Sequence, residues 1–248
     1  MNDVTIHVEA QLIHGKLLLP ASCEARCPAM LFVHGWGDTQ RRNLGIGKGL
    51  QARGLVCLTF NLRGHARTRA QRDTVTRAQN LADVIAAYDR LASRPEVDAA
   101  RIGVVGSSYG GYLATLLTAE RKVRWLALHA PALYMDAVFD RPKRELNLDP
   151  KLAEYRRRRL EPDANRALTA ASRFGGDVLV VESEHDTVIP HEVVANYLHA
   201  FEPAGSRRHE VLAGADHGLS REAWRREWGE LLGEWVVKRA AATASARP

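Results

Sequence analysis

The stretch Arg101-Ile102-Gly103-Val104-Val105-Gly106-Ser107-Ser108-Tyr109-Gly110-Gly111-Tyr112 constrains this chain more than any other. It reads as a buried strand, a sharp turn and a helix, with Gly-x-Ser-x-Gly at the turn. Glycines at 106 and 110 remove the Cβ atoms that would block so tight a bend. A serine on such a corner presents its hydroxyl at the top of a sheet, so Ser108 is the candidate nucleophile. Ser107 is the weaker candidate, because no glycine stands two positions before it. An ordinary strand-to-helix turn produces the same short pattern, so the rest of the chain has to decide.

A serine hydroxyl is a poor nucleophile near neutral pH. It needs a base, and the base needs an orienting carboxylate. Behind a corner of this kind the acid follows first and the histidine last, each just past a strand. Asp177–Ser183 is an apolar run bounded by Gly175-Gly176, and Glu184-His185-Asp186-Thr187-Val188-Ile189-Pro190 follows it. Asp186 therefore falls in the loop beyond that strand. His209–Ala213 reads as a short strand before Gly214-Ala215-Asp216-His217-Gly218, which places His217 in the final loop. The assigned roles are Ser108 as nucleophile, His217 as base and then acid, and Asp186 as the group that holds the imidazole. Among rivals, Glu182 falls inside the strand and Glu184 at its edge. Asp216 adjoins His217 and points elsewhere. His191 and His199 read as a solvated helix face, and His129 as a packed polar residue near the site.

Acyl transfer also builds negative charge on a carbonyl oxygen, which two fixed backbone N–H groups stabilise. One is expected from Tyr109, the residue after the nucleophile. The other is expected from the loop His34-Gly35-Trp36-Gly37-Asp38 behind the strand Pro28–Val33. Trp36 is the candidate donor there, with its indole available to line an acyl pocket.

These residues together resemble the α/β-hydrolase superfamily over nearly the whole chain. Gly106–Tyr112 is similar to the catalytic domains of the prolyl oligopeptidase group and to small esterases of the dienelactone-hydrolase and cinnamoyl-esterase kind. Asn61-Leu62-Arg63-Gly64-His65 resembles an Asp-x-Arg-Gly-x-Gly turn of such enzymes, with Asn61 in place of the Asp and Ala66 in place of the last Gly. The resemblance implies a serine hydrolase acting on esters or related acyl groups, with no metal or organic cofactor. It leaves the acyl group open. Those peptidases carry a large additional domain for which this chain has no room, so peptidase or amidase activity ranks below esterase. A non-catalytic binding protein on the same fold and a lyase using the same residues stay as further readings. A dehalogenase or epoxide hydrolase needs a carboxylate where Ser108 stands.

The expected architecture is α/β: a mostly parallel eight-stranded sheet with helices on both faces. Strands are expected near Val4–Ala10, Leu17–Leu19, 29–33, 55–60, 101–106, 123–129, 178–183 and 208–213. Apolar residues 81, 84, 85, 88 and 91 share one helix face. The domain spans 1–239, with a helix from about Ser220 to Lys238 and a frayed tail over 240–248. Between the strand ending at His129 and the strand before Asp186, the segment 132–162 reads as a small cap with a helix at 151–160. Tyr134 and Phe139, with Met135 and Leu146, are expected either to line a substrate cleft or to form the cap's own miniature core.

Net charge is +6. The arginines are spread along the chain and no nucleic-acid motif accompanies them, so a nucleic-acid partner is not expected. The densest cluster, Arg156–Arg159, reads as a solvated helix face or a basic rim for anionic substrates. No apolar run approaches the roughly 20 residues that span a membrane, and no secretory leader is visible. Three cysteines, Cys23, Cys27 and Cys57, argue by their odd number for a reducing compartment and hence the cytoplasm. Oligomeric state is left open, a homodimer included.

Overall fold

The computed structural model describes residues 1–23 and 26–245, side chains excepted at 243–245. Eight strands form one sheet: β1 (Asn2–Val8), β2 (Gln11–Leu18), β3 (Cys27–Val33), β4 (Val56–Phe60), β5 (Val97–Ser107), β6 (Trp125–His129), β7 (Asp177–His185) and β8 (Ser206–Asp216). Their spatial order is β1-β2-β4-β3-β5-β6-β7-β8. β2 runs antiparallel to both of its neighbours, β1 and β4; from β4 to β8 every pairing is parallel. Parallel pairing requires crossovers, and the helices that supply them cover both faces.

Alternate strand residues divide between two cores. Leu31, Leu58, Val104, Leu128 and Val180 face one side, under α2 (Arg77–Ala92), α3 (Tyr109–Glu120) and α7 (His191–Ala200). Phe32, Cys57, Val105, Ala127 and Leu179 face the other, under α1 (Arg41–Ala52) and α8 (Glu222–Ser245). The 3.6-residue pattern that pointed to a helix near 81–91 belongs to α2. Its start is fixed by a capping box in which Thr76 and Gln79 satisfy each other's backbone N–H groups.

Three expectations change here. The segment between β6 and β7 holds three short helices, α4 (Lys143–Asn147), α5 (Lys151–Arg156) and α6 (Arg166–Ser172). The helix expected over 151–160 thus stops at Arg156, and Arg157, Arg158 and Arg159 lie exposed beyond it. The tail expected to fray from 240 is helical through Ser245, and 246–248 lie outside the described residues. Finally, Cys23 and Cys27 are joined by a disulfide in the β2–β3 connection, while Cys57 is free and buried. The compartment argument from an odd number of unpaired thiols therefore loses two of its three residues. Among the described residues no helix is long and apolar enough to cross a membrane.

The corner between β5 and α3 approaches the end of β3 closely. A Cβ on Gly110 would stand 2.2 Å from the Val33 carbonyl oxygen and 2.6 Å from that of His34. A Cβ on Gly103 would meet the Met30 sulfur at 2.5 Å instead, the end of a flexible side chain. Gly110→Ala should therefore lower the melting temperature more than Gly103→Ala in parallel thermal unfolding. Backbone that cannot yield implies at least the 1–3 kcal/mol typical of overpacking, or about 2–4 °C per kcal/mol at this chain length. Equal losses in the two variants would contradict the rigid contact with β3.

Candidate active site

Ser108 sits between β5 and α3 with φ +52° and ψ −117°, a conformation few non-glycine residues adopt. The surrounding backbone holds it there. Its N–H donates to the His129 carbonyl at 2.9 Å, and its carbonyl accepts from Gly111, Tyr112 and Ala132 at 3.0, 3.2 and 2.9 Å. A Cβ at Gly106 would lie 2.4 Å from the Gly110 carbonyl oxygen, so the turn closes only with glycine there.

The other two groups arrive through strand register. β7 and β8 pair so that His185 lies opposite Asp216. The next residue of each strand, Asp186 and His217, then meet: Asp186 Oδ2 accepts from His217 Nδ1 at 2.7 Å. On the far side of the ring, Nε2 lies 3.0 Å from Ser108 Oγ. With Nδ1–H committed to the carboxylate, Nε2 carries the lone pair that faces the serine. The Asp186 side chain is 4 % exposed. Burial raises its pKa, but the His217 hydrogen bond and the N–H groups of Ile189 and Val188, both 2.8 Å from Oδ1, outweigh this and leave it below the ordinary value. The structure thus brings Ser108, His217 and Asp186 into one hydrogen-bonded chain. The rivals are occupied elsewhere. Glu184 accepts from the Gly214 N–H at 2.6 Å, Glu182 pairs with His191 and His209, and Asp216 caps the turn at Ser220.

The loop carrying Trp36 is clamped to the turn 61–65 by two imidazoles. His34 Nε2 accepts from the Leu62 N–H at 3.1 Å while its Nδ1 faces the Gly35 carbonyl at 2.8 Å. His65 Nε2 accepts from the Gly37 N–H at 3.0 Å while its Nδ1 faces the Arg63 carbonyl at 3.2 Å. Each ring therefore works as a neutral tautomer, donor on one side and acceptor on the other. Arg63 continues the path, bonding Asp83 at 2.5 Å, and Asn80 links Asp83 to the Tyr109 hydroxyl at 3.0 Å. Burial pushes Asp83 up to about 6 against the pull of Arg63. Sequence reading singled out the Asn61–His65 turn only as a resemblance. It had no signal for Asn80 or Asp83, whose role depends on α2 crossing behind the turn.

Trp36 lines a cavity of about 1040 Å³ together with Ser108, His129 and His217. Tyr134 and Phe139, read from sequence as either cleft residues or the cap's own core, do not line it. They are 3 % and 7 % exposed and pack in the main core. Between them lies a buried cationic cluster. Lys143 Nζ sits 5.0, 5.1 and 4.7 Å from the ring centres of Trp36, Tyr109 and Tyr134, and the Arg77 guanidinium faces Tyr134 and Phe139. Burial, with Arg156 and Arg77 close by, pushes the Lys143 ammonium down to about 7. The cap side of the site is thus filled by aromatic rings gripping cations, which is why these two residues do not border the cavity.

Residues 48–243 match the family model of the prolyl oligopeptidase family. The chain belongs to that family. It shares its α/β-hydrolase fold with Est1E from Butyrivibrio proteoclasticus (TM-score 0.70, 16% identity, 99% of this chain and 100% of that one). A dienelactone hydrolase from Anabaena variabilis aligns with TM-score 0.66 and 20% identity over 94% and 95%. The acylaminoacyl peptidase of Pyrococcus horikoshii aligns at 0.69 and 15% over 94% of this chain but 41% of its own. An uncharacterised protein of Mycobacterium tuberculosis is 25% identical over 87% of this chain and 72% of its own length. The fold is thus a serine-hydrolase fold shared by esterases and peptidases.

Three buried imidazoles make stability acid-sensitive. Burial lowers His34, His65 and His129 from 6.5 to about 4. Between those values the unfolded chain takes up protons that the folded one refuses, so stability is full above pH 6.5 and is lost as pH falls toward 4. The melting temperature should drop steeply from pH 7 to pH 5. His65→Gln, whose amide oxygen still accepts from the Gly37 N–H, should lose less on the same acidification; an unchanged pH slope would rule His65 out as one of the groups responsible.

Proposed function

We propose that this protein is a carboxylesterase that cleaves small to medium carboxylic esters through an acyl-enzyme. The observation that carries the reading is the Asp186–His217–Ser108 chain at 2.7 and 3.0 Å, on a strained corner at the C-terminal edge of the parallel sheet. Ser108 Oγ attacks the ester carbonyl while His217 Nε2 takes its proton. Asp186 holds the ring in the tautomer that this requires and stabilises the imidazolium. Tyr109, as the first residue of α3, has an N–H with no acceptor inside its own helix. That N–H and the one of Trp36 receive the oxyanion. His217 then returns the proton to the departing alcohol, and water repeats the path to release the acid. Each such backbone donor contributes about 3–4 kcal/mol of transition-state stabilisation.

Ester cleavage is favoured by the two esterase-like neighbours that align over nearly their full length, whereas the peptidase aligns over 41% of its own. The family match supports a second reading, amide cleavage by the same residues. Parallel assays with p-nitrophenyl acetate, p-nitrophenyl butyrate and an acylated amino-acid p-nitroanilide separate the two. The wild type should turn over the esters and leave the anilide nearly untouched. Ser108→Ala should fall to background, and Asp186→Asn should lose about 10⁴-fold in kcat by misorienting the imidazole. Faster anilide than ester turnover would transfer the assignment to the amidase, and an active Ser108→Ala would remove Ser108 as nucleophile.

A further inference from the structure

The cavity at Ser108 does not end at the catalytic residues. It runs away from the cap side, between α1 and α8, on the opposite face of the sheet from Tyr134 and Phe139. Its apolar floor includes Ile46, Leu50 and Trp228, the last two 1 % and 3 % exposed. Gly45 and Gly49, one helical turn apart, open its α1 wall; a Cβ built on either meets no atom within 4 Å. Opposite them on α8, a Cβ on Gly229 would reach Ile46 at 3.6 Å. At the far end the Arg53 guanidinium lies on Gly233, where a Cβ would stand 2.1 Å from it, and closes the groove. From Arg42 to Arg53 the α1 wall runs about 16 Å at 1.5 Å per residue.

Two features say what this space is for. Glycine inside a helix is destabilising relative to alanine. At Gly47 a Cβ would make ordinary contacts with Phe32 and Cys57 at 3.7 and 3.8 Å, and at Gly45 and Gly49 it would meet no atom within 4 Å, so no protein atom requires the missing side chain along this stretch of α1. The groove also begins beside His217 and Gly218. His217 must hand a proton to the departing alcohol, so the alcohol half of an ester has to lie within its reach.

We propose, on the esterase reading above, that the α1–α8 groove is the leaving-group channel, and that the preferred substrates are esters of straight-chain aliphatic alcohols. The chain lies along Gly45 and Gly49 with its oxygen at His217 Nε2 and its end toward Arg53.

The test is hydrolysis of ethyl, butyl, hexyl and octyl acetate followed in a pH-stat, beside p-nitrophenyl esters of increasing acyl length. The proteins are wild type, Gly49→Leu, Gly45→Ala and Ser108→Ala. In the wild type kcat/KM should climb with alcohol length, up to about fourfold per methylene buried, and should respond far less to acyl length. Gly49→Leu fills the groove, so its octyl-to-ethyl ratio should collapse toward one. Gly45→Ala, which only lines it, should keep most of the preference. Leucine and alanine both favour helix over glycine, so melting temperatures at or above wild type will show that the variants fold. A flat alcohol profile in an active wild type, or an octyl preference that survives Gly49→Leu, overturns the channel alone. A wild type silent on every ester, or an active Ser108→Ala, overturns the hydrolase reading and the channel with it.

Discussion

The constraint on which the rest of the structure depends is the close approach of α3's first turn to the end of β3. Gly110 brings its backbone against the Val33 and His34 carbonyls with no room for a methyl group. That contact forces the chain to reverse within one residue, and Ser108 absorbs the reversal at φ +52°. The strain is held by four backbone hydrogen bonds from three different segments. The same approach sets the loop 34–38 directly beside the serine. One steric fact therefore places Ser108, the Tyr109 N–H and the Trp36 loop together, before any side chain is considered.

Side chains then fix what sterics bring close. His34 and His65 tie the loop 34–38 to the turn 61–65 by bonding the backbone of both at once. They do so only as neutral rings, and burial keeps them neutral. Arg63, Asp83 and Asn80 extend the clamp to the Tyr109 hydroxyl inside α3. In a low-dielectric interior such a network is favourable only when each member is satisfied. Removing the Asp83 carboxylate leaves the buried Arg63 guanidinium with only the exposed Glu9 carboxylate as an ion-pair partner among the described residues.

Much of this was legible in the sequence, for identifiable reasons. The Gly-x-Ser-x-Gly corner, and Asp186 and His217 each in the loop past a strand, are local patterns whose meaning depends only on strand ends. The β7–β8 register turned those ends into a contact, and eight strands with helices between them followed from apolar runs separated by turn residues. What was not legible depended on packing between distant segments. Asn80 and Asp83 sit on the buried face of α2 and look like ordinary polar residues of an amphipathic helix. Tyr134 and Phe139 could be read as lining a cleft or as a cap core, but sequence cannot say that Arg77 packs against both rings and Lys143 against Tyr134. The Cys23–Cys27 pairing was missed because an odd number of cysteines directs attention away from a short-range bond.

That occupation gives the site its asymmetry. A serine at the C-terminal edge of a parallel sheet has two directions in which a substrate can extend, over α2 and α3 beneath the cap or over α1 and α8. On the first side, rings from Tyr109, Tyr112, Tyr134 and Phe139 enclose Arg77 and Lys143, and desolvating those cations is costly enough to lower Lys143 to about 7. A substrate pushed in there would have to displace cation–aromatic contacts and leave charge stranded. On the second side, Gly45 and Gly49 leave open space along α1, the floor at Ile46, Leu50 and Trp228 is apolar, and charged side chains such as Arg41, Arg225 and Glu230 stand exposed at the rim. Buried cations and rings fill one face and open space along Gly45 and Gly49 marks the other, so the second is the less costly direction, and it starts beside His217.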